Sequence, residues 1–356
     1  MRIVYDRESL LSFLDEIREV SAGHPVLIDK FLEDATEVDV DALGDGREVY
    51  VGGIMEHIEN AGIHSGDSAC VLPPHTLSEG LLAQIKHQTR LIAKGLNVIG
   101  LLNIQFAIKG SRIYVLEVNP RASRTVPFVS KATGVPLAKI AAQLMTGKKL
   151  PEFKLSEENS FKHVSVKESV LPFSRFSGVD IVLGPEMKST GEVMGIDLTF
   201  GAAFAKSQMA ANQALPKAGK IFISVNDADK RHVAFLAKRL ADLKFSLVST
   251  RGTAKVLRSN GVRVEEVEKF GEGKNNLLTL IQKNEINLII NTPSGKKSQS
   301  DMRSIRAAAI LHNVPCITTL QGAHAAVNGI EASLEKEFLV QPLQEYYRQQ
   351  ETAGKV

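Results

Sequence analysis

From Lys220 onward the chain settles into one alternation: a short apolar segment, then a stretch of helix length, repeated five times. The segments are KIFISV (220–225), FSLVST (245–250), RVEEVE (263–268), INLIINT (286–292) and PCITTL (315–320). Strands this far apart in sequence cannot be joined by tight turns, and crossovers of helix length connect parallel neighbours. The pattern therefore predicts an open, mostly parallel, Rossmann-like βα sheet with helices on both faces.

Before about Pro216 the pattern is different. EVDVDAL (37–43) and REVYVGGI (47–54) flank Gly44-Asp45-Gly46, and LLNIQFAI (101–108) and RIYVLEV (112–118) flank Lys109-Gly110-Ser111. Both predict hairpins. Leu81, Leu82, Ile85, Ile92 and Leu96 recur near the helical period, so a helix is expected from about Ser78 to Leu96. RIVYD at the N-terminus, VLIDKFL (26–32) and HVSVKESVLPF (163–173) read as strands. ESLLSFLDEIREV, the stretch from Pro136 to Gly147, and residues 199–213 read as helices, and 184–195 as loop and turn. The fold class is thus α+β followed by α/β. The expected units are 1–147, a connecting segment 148–215, an α/β domain 216–340 and a tail 341–356.

Charge and cysteine content narrow the function classes. Lys plus Arg number 43 against 40 Asp plus Glu, a net charge of +3, which excludes nucleic-acid binding by bulk charge. No apolar run approaches the roughly 20 residues of a membrane span. The first residues hold no apolar signal core. Cys70 and Cys316 are far apart and outside any CxxC pattern, which excludes a disulfide scaffold and a zinc finger. A cytoplasmic protein with no nucleic-acid or membrane partner is expected.

Two places carry chemistry. A turn centred on Ser111 sets Gln105 and Glu117 opposite each other or one step off, with Asn119 two residues on along the same face. Three oxygen donors with one formal charge suit Mg2+ or Mn2+ bridging phosphates. Arg121 and Arg124 follow at once, each a fork for phosphate or carboxylate. The apolar neighbours predict a largely buried Glu117, whose carboxylate a cation would compensate. A solvated polar hairpin face is the plainer alternative. Residues 56–68, with two histidines, form a polar loop suited to gripping a ligand rather than to holding a metal. The second place is the carboxyl edge of the βα sheet, where open α/β sheets bind ligands. Ser224, Lys230, Thr250, Thr253, Lys269, Asn291 and Thr318 lie at or near it. Hydroxyls and helix N-termini there make an anion pocket, or else serve as helix caps. Neither a GxGxxG nor a P-loop motif is present.

Four segments, ENAGIHSGDS (59–68), Glu117-Val118-Asn119-Pro120-Arg121, TVPFVSKATGVP (125–136) and GPEMKSTGEVMG (184–195), resemble the large chain of carbamoyl phosphate synthetases. The resemblance covers the C-terminal portion of the second ATP-grasp half and a regulatory domain similar to methylglyoxal synthase. It implies an ATP-dependent carbon–nitrogen ligase that phosphorylates carbamate for arginine and pyrimidine synthesis. Gln105, Glu117 and Asn119 would hold Mg2+ or Mn2+, with K+ as a further cation. Leu32 and Glu37 would line the adenine and ribose site with Lys30 beside them, and Gly62, Ile63, His64 and Ser65 would touch the nucleotide. Glu59, Asp67, Glu168 and Thr318 match an ornithine site. Lys230, Thr250, Thr253, Lys269 and Asn291 match a pocket for UMP or IMP. The implied partners are the upstream part of the large chain and a glutamine amidotransferase small subunit. The family's upstream ATP-grasp subdomains are missing before Met1, so a C-terminal piece, inactive alone, is expected. Asn291–Gly295 contains no Asp, unlike methylglyoxal synthases, so effector binding without lyase activity is expected.

Overall fold

A computed structural model describes residues 3–20, 23–156, 162–173, 181–268, 276–292 and 296–347. Its first sheet has seven strands. They are β1 (Thr36–Asp45), β2 (Val49–Asn60), β3 (Cys70–Leu72), β4 (Ile99–Lys109), β5 (Arg112–Asn119), β6 (Val164–Val170) and β7 (Gly191–Asp197). They lie in the order β5-β4-β1-β2-β3-β6-β7, each antiparallel to its neighbours. The alternation along β1 decides both faces of this sheet. Val38 and Val40 share a core with α2 (Glu79–Gly95), through Ile85 and Ala93. Leu43 points the other way and packs with Met55 and Cys70 against α3 (Val126–Thr133) and α4 (Leu137–Met145). Ser78 caps α2, its side chain accepting from the Leu81 amide.

The second sheet is parallel throughout, in the order β10-β9-β8-β11-β12. Its strands are β8 (Lys220–Ser224), β9 (Ser246–Thr250), β10 (Glu265–Val267), β11 (Leu288–Asn291) and β12 (Cys316–Ile317). The central strands β8, β9 and β11 are buried on both faces along most of their length, as a parallel sheet requires, whereas the edge strands β10 and β12 are partly open. Ile221, Ile223 and Leu247 pack with α6 (Lys230–Asp242), α7 (Arg251–Ser259) and α10 (Leu320–Glu335). Phe222, Val248 and Ile289 pack with α8 (Leu277–Gln282) and α9 (Lys296–Leu311).

The two sheets meet through α5 (Phe200–Ala210), which lies on β6 and β7 and packs along α10. Small residues set these crossings. A Cβ on Gly195 would lie 2.0 Å from the Ala203 carbonyl oxygen, and one on Gly201 would lie 2.4 Å from that of Asn328. The chain then doubles back. Lys206 donates to the Leu339 carbonyl (2.7 Å), and Tyr346, 5% exposed, donates from its hydroxyl to the Ile196 carbonyl (3.3 Å). The Tyr346 ring meets the His163 edge, and Tyr347 donates to the Lys131 carbonyl.

Several expectations need correction. Residues 3–5 form no strand, and α1 (Arg7–Val20) begins two residues later. Residues 26–32 pair with no sheet; their apolar side chains, Leu27 83% exposed among them, find no strand or helix to cover them. Residues 56–60 extend β2 rather than open a loop, because they pair on one side with β1, Asn60 opposite Thr36 and Glu56 opposite Val38, and on the other with β3, Glu56 opposite Val71 and His57 opposite Cys70. Residues 191–195 belong to β7, paired along β6. Pro136 stands at the N-cap of α4 rather than inside its first turn. Residues 150–153 form a short 3-10 turn with Leu150 buried, within the stretch expected to be a surface linker.

Candidate functional site

The hairpin of β4 and β5 sets Gln105 directly opposite Glu117 and Asn103 opposite Asn119. Glu117 is exposed, not buried, because β5 is the edge strand and its outer side is open. Gln105 donates its amide nitrogen to Ser65 Oγ (2.6 Å), leaving its carbonyl oxygen as the donor atom it can offer. The resulting set is one carboxylate and two amide oxygens, without sulfur or imidazole. It fits Mg2+ or Mn2+ and does not fit zinc. Arg121 and Arg124 are both exposed next to it. Arg121 reaches Asn119 Oδ1 (3.1 Å), and Arg124 contacts Met187.

The loop between β2 and β3 is tied down along its length. Gly62, at φ +101°, donates to Glu37 Oε1 (3.0 Å), and a Cβ there would meet the Phe31 ring at 2.9 Å. Ile63 follows, and the His64 amide donates to the Gly184 carbonyl (2.8 Å). The Gly66 amide donates to His64 Nδ1 (3.0 Å). Glu37, Gly62, Ile63, His64 and Ser65 thus stand together beside Gln105. Lys30, exposed, and Leu32, half-buried, lie on the coil before β1.

A buried polar row that sequence reasoning missed runs beneath this loop. Asp39 pairs opposite Gln105, Cys70 opposite His57, and Lys167 opposite Cys70. His57 Nε2 is 2.9 Å from Asp39 Oδ2, and its Nδ1 is 3.5 Å from Glu37 Oε2. Burial works against a charged imidazole here, but Cys70 and the Asp39 hydrogen bond outweigh it and hold His57 well above the ordinary histidine range. Burial lifts the Glu37 carboxyl. Lys167 donates to the carbonyls of Ser65 (3.3 Å) and Ser68 (2.7 Å), fixing the loop from below. Acidic residues at every second position of EVDVD were the available signal. Further along β1, Asp41 is buried and accepts from Asn103, Ser123 and Thr125, and burial pushes its carboxyl up to about 6.

Of the four residues matched to an ornithine site, two come together. Burial and the neighbouring Glu59 charge push Glu168 up to about 8, and Gln208 donates to it. Burial likewise raises Glu59, which accepts from the Ala69 amide (2.7 Å). Asp67 is engaged otherwise: its two oxygens accept the amides of Lys188 (2.7 Å) and Ser189 (2.8 Å), so it anchors a loop. Thr318 is half-buried; the residues preceding it and Glu59, Ile317 and Ile58, share one core cluster.

The carboxyl edge of the parallel sheet gathers most of its expected set. Ser224 Oγ and Thr250 Oγ1 are 2.9 Å apart, and Asn291 Nδ2 donates to the Ser224 carbonyl (2.8 Å). Thr253 Oγ1 accepts from the Val225 amide (3.3 Å). Lys230 opens α6, pairs with Asp227 and stands over Gly252. Thr250 makes no side-chain cap bond to α7, so its hydroxyl is not a helix cap. Lys269 and residues 293–295 lie outside the described residues. No helix among the described residues is long and apolar enough to cross a membrane.

The family "Carbamoyl-phosphate synthase L chain, ATP binding domain" matches residues 1–153, and the "MGS-like domain" matches 232–318. The carbamoyl phosphate synthase large chain of Archaeoglobus fulgidus is 55% identical over 98% of this chain and 32% of its own length. Those of Rhodopirellula baltica and Methanothermobacter thermautotrophicus are each 54% identical over 98% of this chain and 33% of theirs. Among solved structures, a biotin carboxylase from Campylobacter jejuni matches with a TM-score of 0.47 and 15% identity, over 61% of this chain and 54% of that one. The chain spans about a third of the length of the curated relatives it matches. It belongs to the carbamoyl phosphate synthase large-chain family, pairing an ATP-grasp nucleotide-binding portion with an MGS-like domain.

Proposed function

We propose that this chain supplies nucleotide and metal contacts for ATP-dependent phosphorylation of carbamate to carbamoyl phosphate, and carries the effector domain that regulates it. The observation that carries this reading is the facing pair Gln105–Glu117, with Asn119, Arg121 and Arg124 immediately beyond. Gln105, Glu117 and Asn119 would hold Mg2+ or Mn2+, which supplies charge neutralisation on transferring phosphates. Glu37 and the loop Gly62–Ser65 would hold the nucleotide, with Lys30 and Leu32 closing over it. Arg121 and Arg124 would grip the anionic end, carbamate or the phosphoryl in transit. Ser224, Lys230, Thr250, Thr253, Lys269 and Asn291 would bind UMP or IMP. Glu59 and Glu168, with Asp67 and Thr318 nearby, would receive the ammonium groups of ornithine. The remainder of a large chain and a glutamine amidotransferase small subunit are the proposed partners. Uncovered residues 26–32 favour catalysis only in that company.

The test is carbamoyl-phosphate-dependent synthesis of ATP from Mg-ADP, by the chain alone and with an added upstream fragment, with and without UMP. Activity on complementation that UMP damps, and that Glu117→Gln abolishes while UMP binding persists, is the expected result. Unchanged turnover in Glu117→Gln refutes the metal assignment. UMP binding without activity in any mixture leaves an effector-binding module.

A further inference from the structure

Arg121 and Arg124 present an unusual mechanical problem. Both are exposed, yet the proposed reaction needs them held in place beside Asn119. The Arg124 guanidinium contacts Met187 and acts electrostatically on the Glu192 carboxyl. Arg121 donates to Asn119 Oδ1 and the Ala122 carbonyl, both in its own segment, so the placement of the pair depends on the backbone leaving β5, and that segment is fastened from below.

The fastener is Asp41, in the middle of β1 and fully buried. Its Oδ1 accepts from Ser123 Oγ (2.7 Å) and from Asn103 Nδ2 (3.0 Å), and its Oδ2 from Thr125 Oγ1 (2.6 Å). Ser123 and Thr125 are the residues on either side of Arg124, and their hydroxyls are 2.8 Å apart. Asn103 is the residue paired opposite Asn119. One carboxylate thus joins both flanks of Arg124 to the strand position facing a candidate metal ligand. Thr125 sits at the N-cap of α3, where a threonine hydroxyl normally accepts a helix amide, yet it makes no such bond. Its hydroxyl is turned to Asp41 instead. A buried carboxylate is a costly way to close a turn, since an apolar residue or an ordinary cap would serve stability alone. It is an effective way to fix a segment, because hydrogen bonds to a charged acceptor are short and strong.

We infer that Asp41 is a positioning residue: through Ser123 and Thr125 it sets the segment 121–124, and with it Arg121 and Arg124, in register with Glu117 and Asn119 for an anionic, phosphate-bearing ligand. The inference rests on the reading of that end of the site given above.

The test uses the full chain, with Mg-ADP and carbamoyl phosphate as probes in titration calorimetry. Asp41→Asn and Ser123→Ala should each weaken carbamoyl phosphate binding about tenfold, the effect of one lost charge-assisted hydrogen bond. Mg-ADP affinity should change less than twofold, because Glu37 and Gly62 are untouched. Ser123→Thr, which restores the hydroxyl, should bind like the parent. Parental carbamoyl phosphate affinity in both weakening variants overturns the inference alone. Equal loss of both ligands makes Asp41 a general structural residue and also overturns it. If the parent binds Mg-ADP but no carbamoyl phosphate, the reading of the anion end fails, and the inference with it. Ser123→Ala keeps the test decisive should Asp41→Asn not fold.

Discussion

Gly195→Ala offers a sharp trial of the packing argument. Gly195 lies in β7 under α5, and an added Cβ would stand 2.0 Å from the Ala203 carbonyl oxygen and 2.4 Å from the Ser207 amide nitrogen. Ordinary contact begins at 3.4 Å, so the helix must lift by about 3.4 − 2.0 = 1.4 Å. Both obstacles are backbone atoms, and no rotamer change relieves them. Overpacking of this kind costs about 1–3 kcal/mol. At roughly 2–4 °C per kcal/mol, the melting temperature should fall by about 2–12 °C. Lifting α5 also draws Gln208 away from Glu168, which it contacts at 2.5 Å. Gly191→Ala is the control in the same strand, since nothing lies within 4 Å of its Cβ and its φ is not left-handed. Calorimetry should show it neutral or slightly stabilised. Equal melting temperatures for the two variants would refute the claim that α5 crosses β7 at backbone contact.

Three further outcomes are expected. Glu168 keeps its proton up to about 8 in the fold, whereas the unfolded chain releases it near 4.5, so its stabilising effect is full below 4.5 and is lost as pH rises through about 8. Urea unfolding at pH 6 and 9 should show a steeper loss for the parent than for Glu168→Gln. Phe106, fully buried under α2, should cost about 3–5 kcal/mol on replacement by Ala in denaturant titrations. Thr250→Val removes the hydroxyl that meets Ser224, and should weaken UMP binding about tenfold in calorimetry with little change in melting temperature.

The legible and illegible parts divide along physical lines. Counting across the turn brought Gln105 opposite Glu117 or one step off; the turn itself pairs Lys109 with Arg112, and a register shift between Gln105 and Phe106, which counting does not show, sets the two directly opposite. The parallel strands themselves followed from their apolar runs and helix-length spacing; their order in the sheet did not. Exposure was not legible. RIYVLEV looks buried, yet Val115 and Leu116 are each 48% exposed, because an edge strand has a neighbour on one side only. VLIDKFL reads as a strand for the same local reasons and pairs with none. The row Asp39, His57, Cys70 and Lys167 was hidden because it depends on registers between strands far apart in sequence, with an irregularity between Thr36 and Val38. Asp67 shows the opposite error: an acidic residue in a matching motif whose two oxygens are already taken by backbone amides.

The return of Tyr346 to Ile196 has a consequence during synthesis. The two residues are 150 positions apart. A ribosome adding about 5–20 residues per second needs roughly 8–30 s to cover that interval. Through that time the first sheet has all of its strands but not the aromatic clamp at the end of β7, and α5 waits for α10. The first sheet must therefore survive with this flank uncovered until Tyr346 has emerged.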